Sequence, residues 1–139
     1  MTRSRLATIH AGALVPDIAR LLSGGQKNLV VVCDPSGAMV GIVTKTNIVQ
    51  QVGQCETRVR SRVAADIMVR QVAFCHGTDL LPDVLTMMAE LGFVHVPVID
   101  HEFKPVGIVT ARDAMRALLA EEQYEASLLR DYVMGVGYQ

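Results

Sequence analysis

A chain of 139 residues, half of them hydrophobic, is long enough for one compact domain or for two small units that share apolar surface. A net charge of −1 with no basic block excludes a general polyanion surface, and 4% aromatics with no Trp leave no base-stacking platform, so no nucleic-acid polymer is expected as partner. No apolar run approaches the roughly 18 residues that span a bilayer, the stretch after Met1–Arg5 is too polar for a signal peptide, and three cysteines without a CxxC read as reduced thiols, so a cytoplasmic location without membrane association is expected.

In chain order, Leu6 to Ile9 read as a short strand, followed by a turn at His10-Ala11-Gly12. Val15, Ile18, Ala19 and Leu22 then lie on one helical face, with Pro16 in the first turn, where its missing N–H is harmless, and Gly24-Gly25 at the left-handed end. Leu29 to Cys33 is a continuous apolar run, which predicts a strand covered on both faces. Asp34-Pro35-Ser36-Gly37 is a turn, Val40 to Val43 a returning strand, and Ile48, Val49 and Val52 mark a second helix. Polar residues 54–63 follow, with Arg58, Arg60 and Arg62 alternating.

The same order then repeats. Val72 to Cys75 predicts a strand and His76-Gly77-Thr78 a turn. Leu81, Val84, Leu85, Met88 and Leu91 form a helical stripe ended by Gly92. Strands follow over Val94 to Ile99 and Val106 to Val109, with a turn from Asp100 to Lys104. The closing helix carries Ala114, Met115, Leu118 and Leu119. Tyr124, Leu128, Tyr132 and Val133 continue an apolar stripe along the tail, which suits folding back on the domain or pairing with another subunit, the latter favoured here.

This second pass is in strict register with the first at an offset of 66 residues, the separation of Thr44 from Thr110. His10 matches His76, Leu14 matches Leu80, and Pro16-Asp17 matches Pro82-Asp83. Val30, Val32 and Asp34 match Val96, Val98 and Asp100, and Val40 to Thr44 match Val106 to Thr110, all without a gap. An internal duplication explains this pattern, with two copies of one β-α-β-β-α unit.

The most distinctive stretch is Gly107-Ile108-Val109-Thr110-Ala111-Arg112-Asp113, a strand running into a helix. Thr110 stands at the N-cap, and Asp113 follows three residues later, as in a capping box. The first copy has Gly41-Ile42-Val43-Thr44-Lys45-Thr46-Asn47. Asn47 replaces the acidic residue, and an amide has one carbonyl oxygen where a carboxylate has two, so it is expected to complete the box less well. Such a box stabilises a helix start with no ligand at all, by about 0.5–2 kcal/mol. Two readings therefore stand at this motif, a helix cap and a binding site.

Those residues, with Val96-Pro97-Val98-Ile99-Asp100 before them and Asp66-Ile67-Met68 leading in, make the chain resemble a pair of CBS domains, the Bateman module, in its stand-alone form. The resemblance covers nearly the whole chain. It implies an α+β fold of tandem repeats packed with pseudo-twofold symmetry: repeat one over 1–53, a linker over 54–63, repeat two over 64–122, and a C-terminal helix and tail over 123–139. It also implies clefts for an adenosine-containing ligand such as AMP, ADP, ATP, S-adenosylmethionine or NAD(H), and association into a homodimer.

For such a ligand, Asp113 would accept the ribose hydroxyls, and Thr110 would bond ribose or phosphate. The helix start would offer N–H groups to a phosphate. Val96 and Pro97 would line an adenine slot, and Arg112, or Lys45 in the other copy, would pair with phosphate oxygens. Thr44 and Asn47 form the weaker counterpart, so the two clefts are expected to be unequal.

The expected function is a regulatory sensor that reports ligand occupancy to an unidentified regulated protein. The alternative is a ligand-independent interaction or dimerisation module. No nucleophile–base pair or Walker loop supports an enzyme. His10, His76, His95 and His101 fit no zinc template with the cysteines, so no metal and no required cofactor are expected. His10 and His76 read as turn residues, and His95 as a packed or half-exposed strand residue. Cys75 would be redox-sensitive only if exposed.

Overall fold

The computed structural model describes residues 6–24, 27–54 and 59–120. The tail stripe, Cys55, Arg58 and Gly25 lie outside the described residues. The chain divides into two compact units, with the change between Val72 and Ala73.

In the first unit, β1 (Thr8–His10) leads to α1 (Val15–Leu22), β2 (Leu29–Cys33), β3 (Met39–Thr44) and α2 (Lys45–Gln54). The sheet order is β1-β2-β3, with β1 parallel and β3 antiparallel to β2. A single 3-10 turn (Val59–Ser61) and the short α3 (Ala64–Ile67) complete the unit. In the second unit, β4 (Cys75–His76), α4 (Leu81–Leu91), β5 (His95–Ile99), β6 (Pro105–Thr110) and α5 (Ala111–Ala120) repeat the order and the pairing. Both units are thus mixed α+β, built on the β-α-β-β-α plan. Among the described residues no helix is long and apolar enough to cross a membrane.

The duplication reaches into irregular detail. The hairpin register shifts between Val32 and Cys33 and again between Val98 and Ile99. Asp34 Oδ1 accepts from the Ser36 and Ala38 N–H groups at 2.9 and 3.0 Å, and Asp100 Oδ1 accepts from those of Glu102 and Lys104 at 2.8 and 2.9 Å. Each turn then needs a left-handed residue. The first copy uses Gly37 at φ 93°, whereas the second uses Phe103 at φ 65°. A left-handed phenylalanine costs about 1–2 kcal/mol. Its ring meets Phe74 edge-on at 4.9 Å, a contact worth about 0.5–1.5 kcal/mol, which offsets much of that cost.

Alternation sorts each hairpin into two faces. Val30, Val32 and Val43 pack under α1 in one core with Val15, Ile18 and Leu22. Val96, Val98 and Val109 pack with Leu81, Val84, Met88, Ala114 and Ala117 in the other. The opposite face is also buried: Leu29, Val31 and Cys33 in one hairpin, Pro97, Ile99 and Ile108 in the other. That is why the strands read as unbroken apolar runs.

The helices after the hairpins divide differently from their apolar listing in sequence. Ile48 packs inward while Val49 and Val52 are exposed. Ala114 and Ala117 are buried while Met115 and Leu119 are exposed at 56% and 73%. At 100° per residue, only one side of such a helix can face the sheet. Leu91 also stands exposed, in the last turn of α4 before the left-handed Gly92. The end of α1 differs from α4. Its cap is Ser23 in a right-handed conformation, with the Ser23 hydroxyl donating to the Arg20 carbonyl at 2.9 Å, so no left-handed glycine is needed there.

The segment from Arg62 to Val69 hydrogen-bonds into the first unit. Leu14 offers α1 no capping side chain, and the Val15 N–H instead donates to the Arg62 carbonyl at 2.9 Å. Ala64 and Ala65 donate to the carbonyls of Ala13 and Ala11. Val69 and Ile42 exchange two bonds of 2.8 and 3.0 Å across the outer edge of β3. Gly41 makes that crossing possible, because a Cβ there would lie 2.8 Å from both the Val69 carbonyl oxygen and the Met68 sulfur.

Gly41→Ala should therefore lower stability by about 1–3 kcal/mol through overpacking against backbone. Gly53→Ala, on α2 with nothing within 4 Å of the new methyl, should raise it by about 0.5–1 kcal/mol. Urea denaturation of the two variants checks the opposite signs.

Candidate functional site

β6 ends at Thr110, which is 6% exposed, and α5 begins at the next residue. The threonine hydroxyl accepts the Asp113 N–H at 3.1 Å, satisfying one of the orphan donors of the first turn. The Ala111 N–H donates to the Val94 carbonyl at 3.0 Å. Two of the first three N–H groups of α5 are thus already bonded. A phosphate docked here would have to rely on side chains more than the expected free helix start implies.

The first copy shows the same turn with an amide. Asn47 N–H donates to Thr44 Oγ1 at 3.2 Å. Asn47 Oδ1 in turn accepts from both the Thr44 N–H and the Thr44 hydroxyl, each at 2.9 Å. The expectation of a poorer box at Asn47 is corrected by this geometry. The hydroxyl rotates to donate where the amide oxygen waits, and the box closes with three hydrogen bonds. The closure has a chemical consequence. Both lone pairs of the single amide oxygen are used, so towards a ligand Asn47 has only its NH2 donors. A carboxylate at the same place has a second oxygen whatever the first one does.

The expected residues fall into three groups. Thr110, Arg112 and Asp113 share one helical turn in the second unit, with Arg112 exposed and Asp113 partly exposed. Thr44, Lys45 and Asn47 share the equivalent turn in the first, where Lys45 is also exposed. Pro97 lies on the same sheet face as Thr110, opposite Ile108. Val96 does not join them. Its side chain, fully buried, belongs to the helix-side core, so its side chain is directed away from that face.

A residue that the sequence placed only on a strand, His95, pairs directly with Thr110 across the hairpin. Knowing the hairpin register would have found it, but nothing in local periodicity marks it. His10 and His76 are the last residues of β1 and β4, and each opens the following turn by accepting the N–H of the third residue onward through its carbonyl. In the linker, Arg60 is exposed and Arg62 partly so.

Among the described residues the two cysteine thiols are held quiet. Cys75 is 2% exposed, and its Sγ lies 3.7 Å from the Pro97 carbonyl oxygen. Burial, with the nearby Asp79 charge adding to it, pushes its thiol up to about 12. Cys33 is shifted the same way by burial and then by Asp34. Hydrogen bonding from Ser36 lowers the Asp34 carboxyl, and that from the Lys104 backbone lowers Asp100, so both turn acids stay ionised well into mild acid. Among the described residues no three His, Cys, Asp or Glu side chains group to hold a metal ion.

Comparison with known proteins gives a consistent picture. The CBS domain profile matches residues 1–53 and again 63–120. The meiotically up-regulated gene 70 protein of Schizosaccharomyces pombe is 29% identical over 140 residues, covering 92% of this chain but only 19% of that relative. A CBS domain pair solved in complex with 5′-methylthioadenosine and S-adenosyl-L-methionine superposes with a TM-score of 0.69 at 27% identity, over 81% of this chain and 90% of that one. A CBS-pair protein of Arabidopsis thaliana solved in complex with AMP gives 0.73 at 22% identity, over 86% and 92%, a likeness of fold alone.

Asn47→Ala should cost about 0.5–2 kcal/mol in urea denaturation, because it removes the two bonds that the Asn47 side chain accepts from Thr44 at the helix start. Thiol labelling at pH 8, mapped by mass spectrometry, should spare Cys75 in the folded protein and modify it once denaturant is added, since the neutral thiol is a poor nucleophile.

Proposed function

The chain belongs to the CBS domain family, and on that premise we propose that it is a regulatory module binding an adenosine-containing ligand at the Thr110–Asp113 turn. Candidate ligands are AMP, ADP, ATP, S-adenosylmethionine and NAD(H). The observation that carries the reading is the contrast between the two boxes. Asn47 spends its only acceptor oxygen internally, whereas the Asp113 carboxylate has a second oxygen whatever its first one bonds, at a turn anchored by Thr110. A ribose offers two hydroxyl donors, and a carboxylate suits them. Arg112 would neutralise phosphate, Pro97 would contact the base, and Val96 would contribute through its backbone. Thr44, Lys45 and Asn47 form the weaker site. The 5′-methylthioadenosine and S-adenosyl-L-methionine bound by the solved CBS domain pair at 27% identity support this ligand class.

The repeats are proposed to extend over 1–53 and 64–122, with 54–63 between them and 123–139 beyond. The exposed apolar residues Val49 and Val52 on α2 and Met115 and Leu119 on α5 support a homodimer. The protein would act in the cytoplasm without catalysing a reaction or requiring a cofactor. It would transmit occupancy to a regulated protein through the ligand's differential affinity for two states. A second reading, a ligand-independent interaction module, is favoured at the first copy, where the Thr44–Asn47 box is closed on itself.

Thermal shift with the five ligands, followed by calorimetry, tests the proposal. A ligand at about 100 times its Kd should add roughly 2.7 kcal/mol of stability. Asp113→Ala should remove that gain, while Asn47→Ala should retain it on a lower baseline. A flat response to every ligand would leave only the interaction module.

A further inference from the structure

The helices that close the two copies hold equivalent places but are seated with unequal strength. At the offset of 66, α5 has Ala114 and Ala117 where α2 has Ile48 and Gln51. Both alanines are buried in the helix-side core. Among the described side chains of α2 none is fully buried, and Ile48 and Gln51 are only half-buried. The Gln51 Oε1 atom is nevertheless shut off from water and has no hydrogen-bond partner. A buried acceptor without a donor forfeits the bond that water would give it, which favours outward movement of the helix that carries it.

The composition of α2 points the same way. Thr46, Asn47, Ile48, Val49, Val52 and Gly53 all rank low in helix propensity, through stiff β-branched side chains, a competing amide and a glycine. α5 is built mainly from alanine, leucine, methionine and arginine, which rank high. Asp113 stands in the first turn of α5, at the positive end of the helix dipole, whereas α2 starts on Lys45 with no acidic residue there. Val49 and Val52 are exposed and hold nothing down. Only the start of α2 is firmly tied, by the three hydrogen bonds of the Thr44–Asn47 box. A helix pinned at one end and weakly seated beyond it pivots at the pinned end.

We propose that α2 is a local switch, which from Ile48 onward leaves the helix-side core of the first unit while α1 and the β1-β2-β3 sheet stay folded. In the open state the Gln51 oxygen reaches water, and the part of the core that Ile48 covers becomes accessible. The opening is a property of this chain alone. Its use as one of the two states of a regulator rests on the sensor reading above.

Hydrogen exchange of the full chain without ligand, followed residue by residue by NMR, tests the opening whether or not an adenosine compound binds. The Val49–Gly53 amides should be about tenfold or more less protected than the Met115–Leu119 amides of α5, and also less protected than those of Val30–Val32. Gln51→Ala combined with Gly53→Ala should raise protection over Val49–Val52 about tenfold. Gln51→Leu, which removes the orphaned oxygen at nearly constant volume, serves as the readout should the alanine leave a void. Equal protection of α2 and the Val30–Val32 amides would overturn the inference, and so would α2 amides unmoved by both sets of variants. If α2 opens as described and no adenosine compound shifts the melting temperature, the sensor reading falls and the local opening stands.

Discussion

The hydrogen bond from the third helical N–H to a threonine hydroxyl governs this molecule. It turns a strand into a helix within one residue, once at Thr44 and once at Thr110. The hairpin before it and the helix after it can share a core only because that turn is sharp. Each helix then lies across the sheet it has just left, with valines of alternate positions beneath it. The same turn gathers the polar side chains that could meet a ligand, so fold and candidate site depend on one contact.

Duplication makes the two turns comparable, and the differences between them are chemical. An amide closes the first box with its single oxygen, whereas a carboxylate occupies the second. Leucine seals the strand end beside Thr44, whereas histidine stands beside Thr110. The backbone scarcely changes, as the matching bulges and aspartate-centred turns show. On the proposed function, the second half would carry the ligand site while the first turn would serve mainly as a cap. The left-handed Phe103 fits the same pattern. Both turns have a left-handed residue at the same place though only the first uses glycine, and contact with Phe74 offsets the cost at Phe103.

The segment from Arg62 to Val69 adds a coupling within the first unit. It supplies the carbonyl that α1 lacks at its N-terminus and adds a bridge to the outer edge of β3. The family resemblance marks Asp66-Ile67-Met68 as a lead-in, but the sequence does not say which strand it lies against. That choice is made by Gly41, whose missing side chain lets the backbone approach.

Much of this protein was legible in its residues. The offset of 66, the β-α-β-β-α order and the threonine at each helix start follow from local patterns, because alternation, helical stripes and capping chemistry act over a few residues. The two-sided burial of the strands was legible for the same reason. Contacts between residues far apart in the chain were not. Which side of α5 turns outward, where Val96 points, that Asn47 completes its box, and that His95 stands opposite Thr110 all depend on strand register and packing, which are collective properties of the folded chain. The nature of each half is written locally, while the neighbours of each reactive side chain are decided only when the strands pair.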